Sequence, residues 1–182
     1  MPANLTFQTL KAAVQAGEID TVMVALVDMQ GRLMGKRFHA AHFIENPDET
    51  HCCNYLLATD IEMNTVQGYQ ATGWAAGYGD YVMKPDLSTL RRLPWAPGTA
   101  FCMVDLYDHH THELIPHAPR SVLRSQIARA EAMGYTPMMA TELEFFLFAQ
   151  SYKDLFDNGY AGLVPTARYN VDYALTGTAA DE

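Results

Sequence analysis

The stretch Thr141–Phe148, TELEFFLF, sets two carboxylates two residues apart at the head of an apolar run. Side chains on a strand alternate faces, so Glu142 and Glu144 point the same way, roughly 7 Å apart at ~3.3 Å of rise per residue. Leu143, Phe145 and Leu147 fill the opposite face, while Phe146 and Phe148 continue the glutamates' own face as hydrocarbon, the pattern of a strand buried on both sides. The pair therefore reads as lying at the edge of a core. Two glutamates on one strand face are most often a solvated surface. Beside this much aromatic surface, however, an unpaired carboxylate calls for a cation, a donor or a cleft, and carboxylate oxygens suit Mg²⁺ or Mn²⁺ better than zinc. The local pattern leaves both readings open.

Upstream, Pro119 stands at the first turn of a helix reaching about Met133, with Leu123, Ile127 and Ala130 as its apolar stripe, its arginines as the wet face and Gly134 as its stop. Helix followed by strand begins a second domain. The chain before it reads as an α+β unit: a short helix through Phe7, Leu10 and Val14 ended by Gly17, then a hairpin of Thr21–Met29 and Arg32–Phe38 across a Gln30–Gly31 turn. Lys36 and Arg37 read as its solvated end. Residues His39–Glu45 predict a short helix, Cys52–Ala58 a strand, Tyr81–Met83 a strand, Lys84–Asp86 a turn, Leu87–Leu93 a helical turn and Thr99–Asp108 a longer strand. Between them, Thr59–Asp80 has no sustained periodicity, and a loop this long inside a compact domain is usually functional or disordered. Its aromatic residues argue against disorder.

With 182 residues and a hydrophobic fraction of 49%, the chain can bury one large core or two small ones. A net charge of −9, with twelve scattered Lys and Arg, argues against a nucleic-acid partner. No run approaches the ~18 apolar residues of a membrane span, so no membrane partner and a cytoplasmic location are expected. Three cysteines, Cys52 and Cys53 adjacent, read as reduced thiols rather than a disulfide framework. The run Asp108-His109-His110-Thr111-His112 with His117 reads as a polar hairpin tip rather than a zinc site, because neighbouring histidines point apart and no third ligand falls at the usual spacing.

Four stretches together resemble the glutamine synthetase superfamily, in particular its branch of γ-glutamyl amide and polyamine ligases. They are VDMQGRLMGKR (Val27–Arg37), GYGDYVMKPDLSTLRRLPWAPGTAFCMVDLYD (Gly77–Asp108), PRSVL (Pro119–Leu123) and TELEFFLF. The resemblance implies a β-grasp-like N-terminal domain over 1–112, then the truncated start of a catalytic domain over 113–182, built on a curved antiparallel sheet with helices. It further implies that ATP phosphorylates the γ-carboxylate of glutamate and that ammonia or a larger amine attacks the γ-glutamyl phosphate. ATP and Mg²⁺ (or Mn²⁺) are the implied cofactors, and a homo-oligomeric ring the implied assembly.

Carried over residue by residue, Glu142 looks like the ligand of the metal serving ATP and Glu144 like that of the metal nearer glutamate. The Thr59–Asp80 loop is similar to one that reaches a neighbouring subunit's active site, where Asp60 would bind and deprotonate the amine and Asp80 would be a second acidic residue, with Trp74 lining the site. The ammonia-using pattern has Gly-Ser-Ser after the aspartate. Here Ile61-Glu62-Met63 follows, which favours an amine larger than ammonia and, with Asp60, Glu62 and Asp80 acidic, a cationic one such as a polyamine. The competing reading is a non-catalytic scaffold or β-grasp assembly module. A scaffold has no reason to keep Glu142, Glu144 and Asp60 together.

Overall fold

The computed structural model describes residues 5–48, 50–75 and 77–167. The chain separates into two compact units, Met1–Pro137 and Met138–Glu182. In the first, helix α1 (Phe7–Gln15) starts at Thr6, whose hydroxyl accepts from the Thr9 N–H while the Thr9 hydroxyl accepts from the Thr6 N–H. That reciprocal cap satisfies two donors the first turn would otherwise leave open. Gly17, at φ +72°, turns the chain into β1 (Thr21–Val27), which returns as β2 (Leu33–His39) in antiparallel register from Thr21 against His39 to Val27 against Leu33. Helix α2 (Ala40–Glu45), β3 (His51–Cys53), β4 (Asp80–Arg92) and β5 (Thr99–Asp108) complete the sheet, whose order is β2-β1-β5-β4-β3. The central pair, β1 and β5, is parallel, and every other pair is antiparallel.

Alternation along the strands divides the sheet's two faces. Val22, Val24 and Leu26 of β1 join Cys102, Val104 and Leu106 of β5 in the main core with Leu10 of α1 and Phe43 of α2. Each of these large side chains, fully buried, contributes about 1.5–3 kcal/mol. The other face carries a small cluster of Ala25, Leu93 and Phe101. Gly35 belongs to a tight crossing, since a Cβ there would stand 1.9 Å from the Val24 carbonyl oxygen.

Several expectations are corrected. Residues Lys84–Leu93 are neither a turn nor a helical turn but lie almost wholly within β4, with a register shift between Asp86 and Arg91. Pro85 fits because the Met83 N–H points to the β3 side, where it donates to Thr50 O, and position 85 points the same way, past the end of that ladder. The Cys52–Ala58 run breaks after Cys53 into a 3₁₀ turn, Asn54–Leu57, because buried Asn54 is drawn into bonds with the long loop. Helix α3 (Pro119–Ala132) has the expected Pro start, but Leu123 is 54% exposed, and two arginines are not its wet face. Arg120 Nε donates to Asp105 at 2.7 Å, and Arg120 and Arg124 together pair with Asp86 and Asp105.

In the second unit, helix α4 (Tyr152–Asp157) is capped by the Ser151 hydroxyl, which accepts from the Asp154 N–H at 3.2 Å. The expected TELEFFLF strand is not formed. Residues 141–147 carry no helix or strand, Phe148 bridges only Pro165, and Leu143 and Phe146 are 84% and 83% exposed. An extended segment becomes a strand by pairing, and the described part of this unit offers it only that one bridge.

Candidate active site

The long loop begins where the β1–β2 turn grips it. Asp28, 1% exposed at the end of β1, accepts from the N–H groups of Gln30 (3.0 Å) and Arg32 (2.8 Å) and from Arg32 Nε (2.6 Å). Gly31, at φ +82°, supplies the left-handed residue this turn requires. Burial pushes the Asp28 carboxyl up, but the bonds from Arg32 and Gln30 outweigh it and leave the group below the usual carboxylate range. The other end of the Arg32 guanidinium donates to Ile61 O at 2.6 Å and Asp60 O at 3.0 Å, and Gln30 Nε2 donates to Thr59 O at 2.8 Å. A buried carboxylate, a guanidinium and an amide thus tie two segments about thirty residues apart.

At Asp60 the chain makes a tight turn. The carboxylate accepts from the N–H groups of Glu62 and Asn64, both at 2.9 Å, and from Asn64 Nδ2 at 3.2 Å. Asn64's backbone and side-chain bonds come first in holding the Asp60 carboxyl below its ordinary value. Asp60 therefore offers fixed negative charge rather than a strong base. Met63, at φ +68°, closes the turn, and Ile61 is 74% exposed at its tip.

Farther along, Asn54 Oδ1 accepts from the Thr72 hydroxyl at 2.6 Å and from Gly79 N–H at 3.3 Å, pinning the loop's second half. Asp80 is exposed at the start of β4 and shares a cleft of about 520 Å³ with Lys36, His51, Cys53, Tyr55 and Met63. Burial, with Asp80 among the further causes, pushes the neighbouring Cys52 thiol up to about 12, and Cys52, Cys53 and Cys102 are all free. Trp74 is 75% exposed and meets Tyr78 edge to face at 5.2 Å.

Met63 of the Asp60 turn and Asp80 line the same cleft, while the Asp60 carboxylate is spent on its own turn. Glu142 and Glu144 lie in the other unit, exposed and outside any strand. Their oxygen donors have the chemistry for Mg²⁺, but among the described residues no group of three or more His, Cys, Asp or Glu gathers that could hold a metal ion. His109 and His110 sit in an exposed turn whose backbone N–H groups at 110 and 111 bond the Asp108 carboxylate at 2.8 Å. No helix of the described residues is long and apolar enough to cross a membrane.

Sequence reasoning passed over Asp28, Arg32 and Asn54. The only signal was the D-x-x-G-R spacing of Asp28 to Arg32, which sets an aspartate where a glycine turn wants a side-chain cap.

Comparison with known proteins adds names to this geometry. The family described as glutamine synthetase, catalytic domain, matches residues 116–173. The chain is 48% identical to gamma-glutamylethanolamide synthetase of Streptomyces coelicolor over 98% of its own length and 39% of the relative's. It is 32% identical to glutamate--isopropylamine ligase of a Pseudomonas species, over 89% of the chain and 36% of that protein. A solved structure titled as that of a novel glutamine synthase homolog shares the fold at a TM-score of 0.52 and 18% identity, covering 63% of this chain and 27% of that one. The chain thus spans a little under two fifths of the length of these two curated relatives.

Proposed function

We propose, from the premise that this chain belongs to the glutamine synthetase superfamily, that it is part of an ATP-dependent ligase joining the γ-carboxylate of glutamate to an amine larger than ammonia. The observation that carries this is the 48% identity, over 98% of the chain, to a protein named for making a glutamyl ethanolamide. Ile61-Glu62-Met63 at the tip of the Asp60 turn agrees with it, since bulk stands where the ammonia-using pattern is small.

In this reading the γ-carboxylate takes the terminal phosphoryl group of ATP, releasing ADP, and the amine nitrogen attacks the acyl carbon of γ-glutamyl phosphate, expelling phosphate. The amine arrives near the Asp60 turn, where the ionised carboxylate, although bonded within its own turn, supplies negative charge that favours a cationic amine, with Asp80 adding like charge. It must then lose its protons before attack. Glu142 and Glu144 would hold divalent metal, which when bound neutralises charge on the phosphate oxygens. Two carboxylates fill a minority of the roughly six oxygen positions such an ion takes, so these two residues bind it only with further ligands.

The sheet order, with β1 and β5 parallel and a helix after the first hairpin, supports a β-grasp-like N-terminal domain over 1–112; we place the start of the catalytic sequence at 113, ahead of the family match at 116, although α3 packs within the first compact unit, which runs to Pro137. Assembly of the whole protein into a homo-oligomeric ring is proposed on the family resemblance. Free cysteines and the use of ATP and glutamate fit the cytoplasm.

The test is an amine panel with glutamate, ATP and Mg²⁺, run on the polypeptide encoded by the whole reading frame that holds this chain. Ethanolamine, isopropylamine, putrescine or spermidine should exceed ammonia in kcat/KM. Ammonia outcompeting all four would refute the amine assignment.

A further inference from the structure

We propose that Arg32, seated on Asp28, is a positioning residue for the amine-facing turn Asp60–Asn64, so that the β1–β2 hairpin sets where the amine is received. The inference rests on the glutamate–amine ligase reading for its functional half and on geometry alone for its structural half.

The arrangement is more than a surface ion pair. Asp28 is 1% exposed, and its charge is neutralised by Arg32 Nε at 2.6 Å with backbone N–H groups on its other oxygen. With Nε so occupied, the guanidinium fork can face only one way. Its remaining nitrogens reach Ile61 O at 2.6 Å, Asp60 O at 3.0 Å and Gln30 Oε1 at 3.2 Å, while Gln30 in turn donates to Thr59 O at 2.8 Å. Three consecutive carbonyls, at positions 59, 60 and 61, are therefore held from the hairpin.

Fixing those carbonyls fixes the turn that follows. Asp60 N–H donates to Asn64 O at 2.9 Å and the Asp60 carboxylate accepts from residues 62 and 64, so the turn is a closed ring with one outside anchor. Of its outward residues, Ile61 at 74% exposure has little packing of its own, while Met63 at 36% lies along the Asp80 cleft. The anchor sets the direction of the tip, above a base closed by the Thr59–Thr65 bridge and the Val66 N–H bond to Ala58 O. A lysine cannot replace the arginine, because a single ammonium cannot grip Asp28 and two carbonyls in a planar fork.

Two arms test this. In the first, backbone hydrogen exchange at residues 62–64 of the 182-residue chain is compared for wild type, Arg32→Lys, Arg32→Gln and the milder Gln30→Ala, which removes only the Thr59 bond and one guanidinium acceptor. Exchange should speed by roughly tenfold or more in both Arg32 variants and by less in Gln30→Ala, while amides of the β1–β5 pair stay protected. Unchanged exchange at 62–64 in variants that keep β1–β5 protection would overturn the anchor.

In the second arm, amine KM should rise by about tenfold in the whole-frame enzyme carrying Arg32→Lys, with KM for ATP and glutamate unmoved. An active wild type whose Arg32 variants keep their amine KM would overturn the positioning role even if exchange changes. A wild type that makes no glutamyl amide would overturn the ligase reading instead, and the exchange arm would still decide the anchor.

Discussion

Replacing Asp105 by Asn removes the charge that seats helix α3. Asp105 is 6% exposed on β5, accepts from Arg120 Nε at 2.7 Å, and is paired on its other oxygen with Arg124. Breaking a buried ion pair from one side costs about 3–5 kcal/mol, chiefly through the partner charge left behind. Two features reduce that here. Asp86 remains as a second partner for both arginines, and the Arg120 side chain keeps 21% of its exposure, so part of the charge is met by water. About 2 kcal/mol is the resulting expectation. For a chain of this size that is a fall of ~4–8 °C in Tm, read by thermal or urea unfolding of the 182-residue chain.

Arg124→Ala should cost under ~1 kcal/mol, since Arg124 is half exposed, and Arg129→Ala, on the solvated side, no more than about 0.5 kcal/mol. A double-mutant cycle of Asp105→Asn with Arg120→Gln should return a coupling of about 1 kcal/mol or more. The reasoning is refuted if Asp105→Asn costs no more than Arg129→Ala, because α3 would then be held by something other than its arginines.

Glu144→Ala should leave the unfolding curve of the chain unchanged, the residue being exposed and outside any ladder, yet lower kcat of the whole-frame enzyme by at least ~100-fold; turnover that survives the change, or survives excess chelator, would remove the metal assignment. Gly35→Ala should destabilise by at least ~2 kcal/mol, because its Cβ has no room beside the Val24 carbonyl; a Tm within a degree of wild type would contradict that contact. Asp28 and Asp86 both titrate below their ordinary value, burial being more than offset at Asp28 by Arg32 and Gln30 and at Asp86 by Ser88, Arg120 and Arg124. Carboxyls with depressed folded pKa values lend stability that is present above an unfolded pKa of about 4 and lost as pH falls through the folded value. Urea midpoints should therefore hold from pH 6 to 5 and drop below about pH 4, with a shallower drop in Asp28→Asn.

What could be read from the residues was whatever short-range chemistry decides. The Gln30–Gly31 hairpin, the Gly17 stop, the Thr99–Asp108 strand and the Pro119 helix start all follow from neighbours a few positions apart. Residues 84–93 misled because Pro85 and the spacing of Leu87, Leu90 and Leu93 look like a turn and a helix, and only pairing with β5 overrides them. The arginines of α3 looked solvated because their acids, Asp86 and Asp105, stand 15 to 38 positions away. Asp60 and Asp80 were named from the family resemblance, and Glu142 and Glu144 from their two-residue spacing together with it. Arg32 and Asn54 stayed hidden because they act on backbone of the loop, where no motif marks a partner.

Pro85 has a bearing on how this chain behaves among its own copies. β3 pairs with β4 only as far as Val82, with Thr50 accepting one more bond from Met83, so among the described residues β4 has no ladder neighbour on that side from there until the Leu90 carbonyl accepts from Leu5 N–H. A stray strand zipping onto this margin would next need an amide hydrogen at position 85, and proline has none to give. The irregular stretch from Asp86 to Arg91 then bends the margin out of line. Recruitment of foreign strands onto this margin of β4 is thus hindered one step after the native ladder ends.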